Sequence, residues 1–253
     1  MNPSLEPLWP DVETSDPRSA VTLRWMPVAE HRSACLVLPG GGYGSHADHE
    51  AETIGDWLKE LGISAAVLRY RIAPNRHPAP LIDAAEAMRQ VRRRVGQVPV
   101  GVIGFSAGGH LASTLATHHN ETYVGTTARP DYLVLCYPVI DLLTAAAHLG
   151  SRQNLLADLQ TTELLTHLSS EQHVTAQTPP TFLWHTAEDA VVAPVHNTMF
   201  AAALAEKGVP FELHVYERGR HGLGLCLDPD DPPEVADWAN RCGVWLRRHG
   251  WGR

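Results

Sequence analysis

The apolar run Val98-Pro99-Val100-Gly101-Val102-Ile103 leads without a linker into Gly104-Phe105-Ser106-Ala107-Gly108, and a helix-period stretch, Gly109 to His119, follows at once. A strand that turns directly into a helix leaves the turning residue little conformational choice. Glycine on both sides of Ser106 removes side chains that would collide in so sharp a reversal. The arrangement is that of a nucleophile elbow, which lifts the serine oxygen clear of a sheet and points a helix N-terminus at it. It requires a buried strand before the serine and a sheet-covering helix after it.

The rest of the chain keeps the same rhythm. Strands are expected at Val21 to Trp25, Ala34 to Leu38, Ser64 to Tyr70, Val98 to Phe105, Tyr132 to Tyr137, Thr181 to Thr186 and Phe211 to Tyr216. The central ones are nearly continuous in Val, Leu and Ile, as strands buried on both faces are. Helices are expected over Asp48 to Leu61, Leu81 to Val95, the stretch after Ser106, Val195 to Lys207 and Glu234 to His249. Gly62, Gly96 and Gly208 stop three of them as left-handed caps. This alternation predicts an α/β fold with a mostly parallel central sheet and helices on both faces. Residues 1–20, rich in Pro, Asp and Ser, are expected as an N-terminal arm, and 21–253 as one domain. Within it, 139–179 carry weak helical pieces (Ser151 to Leu159, Thr162 to Ser169) between two strands. Such an insertion overhangs the strand C-terminal ends, where open α/β sheets bind ligands, and is expected to form a small lid.

Bulk properties exclude several classes. A net charge of −8 argues against nucleic acid or an anionic membrane as the main partner. Arg92-Arg93-Arg94, the nearest thing to a basic patch, is expected on a solvated helix face. No run approaches the ~20 apolar residues of a membrane span, and the N-terminus lacks the basic and apolar regions of a secretory signal. Cys35, Cys136, Cys226 and Cys242 show no close-paired spacing, so no disulfide framework is expected and a reducing cytoplasm fits. The 15 histidines include no His-Glu-x-x-His pattern, and neither a metal nor an organic cofactor is expected.

A serine hydroxyl needs a base within hydrogen-bond reach, and the base needs an orienting acid. On a strand–turn–helix elbow the three follow in the order serine, acid, histidine. The strand Thr181 to Thr186 runs into Ala187-Glu188-Asp189-Ala190-Val191-Val192, and Phe211 to Tyr216 into Glu217-Arg218-Gly219-Arg220-His221-Gly222. His221 is therefore the expected base. Asp189, just before the apolar Val191-Val192, is the expected acid, with Glu188 and Glu217 as alternatives. His185 and His214 lie within strands and are expected to pack or face outward. Acyl transfer also needs donors for the developing oxyanion. Pro39-Gly40-Gly41-Gly42-Tyr43-Gly44 follows the strand Ala34 to Leu38 and lets backbone N–H groups come close to a ligand. It lacks the Gly-x-Gly-x-x-Gly and Gly-Lys-Ser/Thr patterns of phosphate loops. The expected donors are the N–H groups of Gly41, Gly42 and Ala107. Tyr43 and Trp184 are candidate pocket walls, with a core role as the alternative for each.

Pro39-Gly40-Gly41-Gly42-Tyr43, Gly104-Phe105-Ser106-Ala107-Gly108-Gly109-His110-Leu111, Thr178-Pro179-Pro180-Thr181-Phe182-Leu183, Glu188-Asp189-Ala190-Val191-Val192 and Gly219-Arg220-His221-Gly222-Leu223-Gly224 together resemble the acetyl esterase and acetylxylan esterase-like group of α/β-hydrolases. These are relatives of the hormone-sensitive-lipase-type esterases, and the likeness runs from about residue 20 to the C-terminus. It implies the α/β-hydrolase fold, with Ser106 as nucleophile, Asp189 as acid, His221 as base and the glycine loop as oxyanion hole. Pro39 stands where the lipase-type relatives carry histidine, which leaves the backbone donors in place. The resemblance further implies a cofactor-free serine carboxylesterase for short, acetyl-type esters, with acetylated sugars or xylo-oligosaccharides as candidate substrates. A small-molecule ester is thus the expected partner, and oligomeric state is left open.

Two hydrolase alternatives share the same chemistry: an amidase or formamidase, and a peptidase, although peptidases of this fold usually carry a gating domain for which 253 residues leave no room. A non-catalytic binding module is the alternative from another class. Such modules typically lose a triad member, whereas candidates for all three are present here.

Overall fold

The computed structural model describes residues 4–253. Among them are strands β1 (Ser4–Pro7), β2 (Thr22–Met26), β3 (Ser33–Leu38), β4 (Ile63–Arg69), β5 (Val100–Phe105), β6 (Leu133–Cys136), β7 (Thr181–Thr186) and β8 (Phe211–Tyr216). They form one sheet in the order β1-β2-β4-β3-β5-β6-β7-β8. Pairs from β4 through β8 are parallel, and β2 runs antiparallel to both β4 and β1. The helices are α1 (Glu52–Glu60), α2 (Ala79–Val95), α3 (Ala107–Thr117), α4 (Leu149–Leu156), α5 (Thr162–His167), α6 (Val195–Glu206) and α7 (Pro233–Arg248).

Side chains alternate across a strand, and the central strands are apolar on both faces, so each face needs its own cover. In β3, Ala34, Leu36 and Leu38 pack with residues of α2, α3 and α6. Cys35 and Val37 pack on the opposite side with Ile54 and Leu58 of α1 and with Val235, Trp238 and Leu246 of α7. Burying a large apolar side chain contributes roughly 1.5–3 kcal/mol, which makes these two layers the main source of stability. Gly62, Gly96 and Gly208 follow α1, α2 and α6 at positive φ values of 74°, 70° and 68°.

Sheet order decides where a site can form. From β3 the chain moves one way, through α1 to β4; from β5 it moves the other way, to β6. The C-terminal ends of adjacent β3 and β5 therefore open a crevice at a topological switch point. The glycine loop leaves β3 there, and the elbow leaves β5.

The N-terminal segment adds an unexpected strand. β1 is short, its exposure alternates and a proline ends it, properties that suit an edge strand and carry little periodic signal. Leu8 is buried, and the Trp9 indole N–H donates to Asp83 Oδ1 (3.0 Å). The arginine run lies on a solvent-facing side of α2, as expected, and is ion-paired there: Arg92 meets Asp131, Arg93 meets Glu86 and Arg94 meets Glu6 of β1. Residues 139–179 contain α4 and α5, and Leu142, Leu155, Leu165 and Leu168 pack into the core layer shared with α3.

Asp83 is the buried polar anchor of this side. Its side chain is fully enclosed and accepts from the Arg71 backbone N–H (2.9 Å), Nε (2.9 Å) and Nη2 (2.8 Å). Asp83→Ala strands a mostly buried guanidinium and is expected to cost about 3–5 kcal/mol of stability by urea denaturation. A loss below about 1 kcal/mol, the worth of a surface pair, would show that the anchor holds little.

Candidate active site

Ser106 adopts φ 51° and ψ −118°, a conformation that costs a non-glycine residue about 1–3 kcal/mol. The surroundings hold it there. Its N–H donates to the Cys136 carbonyl at the end of β6 (3.0 Å), and its own carbonyl accepts from Val139 (3.0 Å) and His110 (3.1 Å). The flanking glycines are sterically required. A Cβ on Gly104 would lie 2.2 Å from the Gly108 carbonyl oxygen, and one on Gly108 would lie 2.1 Å from the Leu38 carbonyl oxygen. Without those side chains, α3 starts directly against the end of β3.

Three expected residues meet at this point. His221 Nε2 lies 2.8 Å from Ser106 Oγ, and His221 Nδ1 lies 2.6 Å from Asp189 Oδ2. A nitrogen facing a carboxylate must carry the proton, so Nδ1–H donates to Asp189 and Nε2 is left to accept from the serine hydroxyl. The Asp189 side chain is completely buried, and its Oδ1 accepts from the Val191 and Val192 N–H groups (2.9 Å each). Burial alone would raise this carboxyl. Hydrogen bonds from His185 and His221 and from the Val192 backbone outweigh burial and hold it well below the usual carboxylate range. Glu188 instead accepts from the Gly219 N–H (3.1 Å), which ties the acid loop to the base loop.

His185 was expected to pack or face outward, and it is fully buried beneath the acid. Its Nε2 lies 2.9 Å from the Val192 carbonyl oxygen and 3.3 Å from Asp189 Oδ2. A histidine inside an apolar strand carries no sequence signal for that contact.

The glycine loop sits directly against the serine, since a Cβ on Gly40 would fall 3.0 Å from Ser106 Cβ. Gly41 and Gly42 take φ values of 116° and 63°, and the Gly44 and Ser45 N–H groups close the turn onto the Gly41 carbonyl (3.0 Å each). Among the described residues, the N–H groups of Gly41, Gly42 and Ala107 donate to no protein acceptor. Ala107 opens α3, so its N–H belongs to the positive end of that helix.

The insertion reaches over this loop. Asn154 Nδ2 donates to the Gly42 carbonyl (2.9 Å), and a Cβ on Gly42 would lie 3.9 Å from His148 Cε1. His148 Nδ1 accepts from the Ser151 N–H (3.2 Å) to cap α4. Burial, and the nearby imidazole of His221, hold His148 below its ordinary value. Beside the base loop a cleft is lined by His49, Arg220, Gly222, Leu223, Leu227 and Asp228.

The two expected pocket walls are corrected. Trp184 is fully buried and stacks on Trp238 with centroids 5.0 Å apart, because its strand position points into the layer beneath α7. Tyr43 is also buried, and its hydroxyl lies 2.8 Å from His110 Nδ1, while His110 Nε2 lies 2.8 Å from the Leu168 carbonyl oxygen. Tyr43 therefore fastens the glycine loop to α3 and the insertion. A histidine trio, His118, His167 and His173, comes together where the insertion meets α3, with ring nitrogens within 4.8 Å of one another. His118 Nε2 and His173 Nε2 face the carbonyl oxygens of His167 (2.7 Å) and Thr166 (3.3 Å), which spends those nitrogens inside the protein.

The sequence profile of the Prolyl oligopeptidase family matches residues 75–242, two thirds of the chain and the stretch that carries all three residues of the hydrogen-bonded series. The chain belongs to the prolyl oligopeptidase family. It is 41% identical to the acetyl ester-xyloside bifunctional hydrolase of Caldicellulosiruptor lactoaceticus, with a TM-score of 0.89 over 99% of this chain and 97% of that one. That similarity also gives it the α/β-hydrolase fold and an acetylxylan esterase-like kinship. It is 37% identical to endo-1,4-beta-xylanase B of Butyrivibrio fibrisolvens, over 78% of this chain and 33% of the relative. It is 30% identical to an acetylxylan esterase of Xylanibacter ruminicola, over 83% of this chain and 45% of the relative. The chain thus spans a third to just under half the length of these two curated relatives. Among the described residues, no helix is long and apolar enough to cross a membrane.

The depressed Asp189 carboxyl has a signed consequence for stability. A group whose folded value is lowered adds stability above its unfolded value, near about pH 4, and loses it as pH falls further. Asp189→Asn should therefore be less stable than the native protein at pH 7, with the gap narrowing as pH drops from about 5 to about 3. Thermal unfolding across that interval checks this; a gap that does not change with pH would contradict the ion-paired assignment.

Proposed function

We propose that the protein is a serine carboxylesterase that hydrolyses short-chain esters, acetyl esters above all, without a metal or organic cofactor. The observation that carries this reading is the series Asp189–His221–Ser106, hydrogen-bonded at 2.6 and 2.8 Å beside three N–H groups that have no acceptor among the described residues. In the proposed cycle Ser106 Oγ attacks the ester carbonyl carbon while His221 Nε2 takes its proton. The new negative charge falls toward the N–H groups of Gly41, Gly42 and Ala107, a class of donor worth about 3–4 kcal/mol each. The imidazolium, steadied by Asp189, returns the proton to the departing alcohol. Water then repeats the attack on the acyl-enzyme, and the carboxylic acid leaves.

Acetylated sugars or xylo-oligosaccharides are the proposed substrates. The named relatives support this, and so does the cleft beside Gly222, whose His49, Arg220 and Asp228 give a hydroxyl-rich alcohol polar partners. A short acyl group is supported by the insertion, 139–179, which acts in this reading as a lid: Asn154 bonds the Gly42 carbonyl and His148 lies close above the same residue. A reducing cytoplasm suits the four free cysteines, three of them buried. The family match favours one competing reading, a peptidase or amidase, because the same series cleaves amides.

The test is direct. The native protein should turn over p-nitrophenyl acetate, with kcat/KM falling at least about tenfold for the octanoyl ester. It should gain one fluorophosphonate adduct, on Ser106, and Ser106→Ala should gain none and lose the turnover. A prolyl anilide or an aryl formamide cleaved faster than the acetate ester would move the conclusion to amide hydrolysis. No adduct on the native protein would leave a non-catalytic module.

A further inference from the structure

We infer that Glu50 is a positioning residue which, through Tyr137, locks the oxyanion loop and the base loop into one register. The inference rests on the esterase reading above and adds to it two side chains that sequence pattern does not single out. Glu50 ends the short 3₁₀ turn Asp48–Glu50 and is only 2% exposed. Its Oε2 accepts from the Gly40 N–H (2.8 Å), and its Oε1 accepts from the Tyr137 hydroxyl (2.7 Å). The Tyr137 oxygen in turn accepts from the Gly224 N–H (2.9 Å). One buried carboxylate thus ties together the glycine loop after β3, the residue that follows β6 and the loop that carries His221.

Each tie lies close in sequence to a group of the proposed site. Gly40 directly precedes the proposed donor Gly41. With the Gly40 N–H committed to Glu50, the loop turns so that the next two N–H groups are free for a ligand. Gly224 lies three residues beyond His221. The Tyr137 ring stands edge-on to the imidazole, with centroids 5.1 Å apart and planes at 70°. Tyr137 also holds φ 37°, a left-handed conformation that needs outside support, and its N–H donates to the Trp184 carbonyl (2.8 Å). The same turn grips the base loop a second time: His49 Nε2 lies 2.9 Å from the Gly222 carbonyl oxygen, and His49 is itself mostly exposed.

A buried carboxylate is a poor way to gain stability alone, since apolar residues of similar volume often stabilise a site as well or better. Its value here is directional: two acceptor oxygens fix two donors from separate loops in one geometry. The expected signature is a loss in kcat with little change in KM, because transition-state donors are displaced while ground-state binding is retained.

The experiment measures kcat and KM on p-nitrophenyl acetate, the rate of fluorophosphonate labelling at Ser106 and the thermal midpoint. It compares the native protein with Glu50→Gln, Tyr137→Phe and the double variant. Native turnover that is absent in Ser106→Ala is the control that separates failure of the esterase reading from failure of this inference. Glu50→Gln keeps the volume but replaces one acceptor with a donor. Tyr137→Phe keeps the ring against His221 and removes only the hydroxyl link. Each should lower kcat and the labelling rate about tenfold or more, with KM within about twofold. The double variant should lose no more than the worse single, because both cut the same link. Folded single variants that keep native kcat and labelling while only the thermal midpoint falls would overturn the inference. So would losses that multiply independently in the double variant. Tyr137→Phe, which deletes one atom, decides the matter if Glu50→Gln does not fold.

Discussion

The constraint on which the site depends is the contact between the start of α3 and the end of β3. Gly108 lies so near the Leu38 and Pro39 carbonyls that a single added carbon would overlap both. That approach sets the helix N-terminus beside the glycine loop, and Ser106, which makes the turn into the helix, takes the strained φ of 51°. The strain is carried by ordinary backbone hydrogen bonds to Cys136 at the end of β6, to His110 in α3 and to Val139 just past β6, so sheet and helix share the hold on the serine with one short loop. Groups built on such elements keep their geometry better than groups on loops.

Electrostatics is arranged around the same point. A fully buried carboxylate is expensive unless its oxygens are satisfied, and Asp189 is satisfied on every side by His221, His185 and two backbone N–H groups. It remains a fixed negative charge, which sets the imidazole tautomer and leaves Nε2 open toward Ser106. On the opposite side of the serine the field is positive, from the first turn of α3 and the unpartnered N–H groups of the glycine loop. A proton is drawn one way and a developing negative charge the other.

Much of this was legible in the chain. Near-continuous Val, Leu and Ile in β3 to β6 marks strands that need cover on both faces, and glycine stops mark helix ends; both are local properties. Thr181–Thr186 and Phe211–Tyr216 fall where patterning places them, and the order serine, acid, histidine follows from loops at the ends of successive strands. Other features were hidden for identifiable reasons. β1 is an exposed edge strand held by pairing with β2, and no periodicity announces it. Trp184 and Tyr43 looked like pocket walls because they adjoin functional loops in sequence. In a pleated strand or a left-handed turn, the neighbouring side chain points elsewhere, here into the core. The role of Glu50 was invisible because Tyr137 lies on a distant segment, and that of His185 because its contact with Asp189, four residues on, forms only when the acid loop folds back over its own strand.

The amino-acid sequence by itself determined the layered α/β architecture, the strained serine turn and the glycine loop, since each follows from hydrophobic period and from the conformations only glycine permits. Tertiary structure alone decided which carboxylate, Asp189 or Glu188, meets the imidazole, and how the insertion, the Asp48–Glu50 turn and the base loop close around the serine. The reason is physical. Local pattern is set by neighbours within a turn of helix or a few residues of strand. A hydrogen bond such as His221 to Ser106 spans 115 residues and exists only once the sheet order has brought their loops to the same edge.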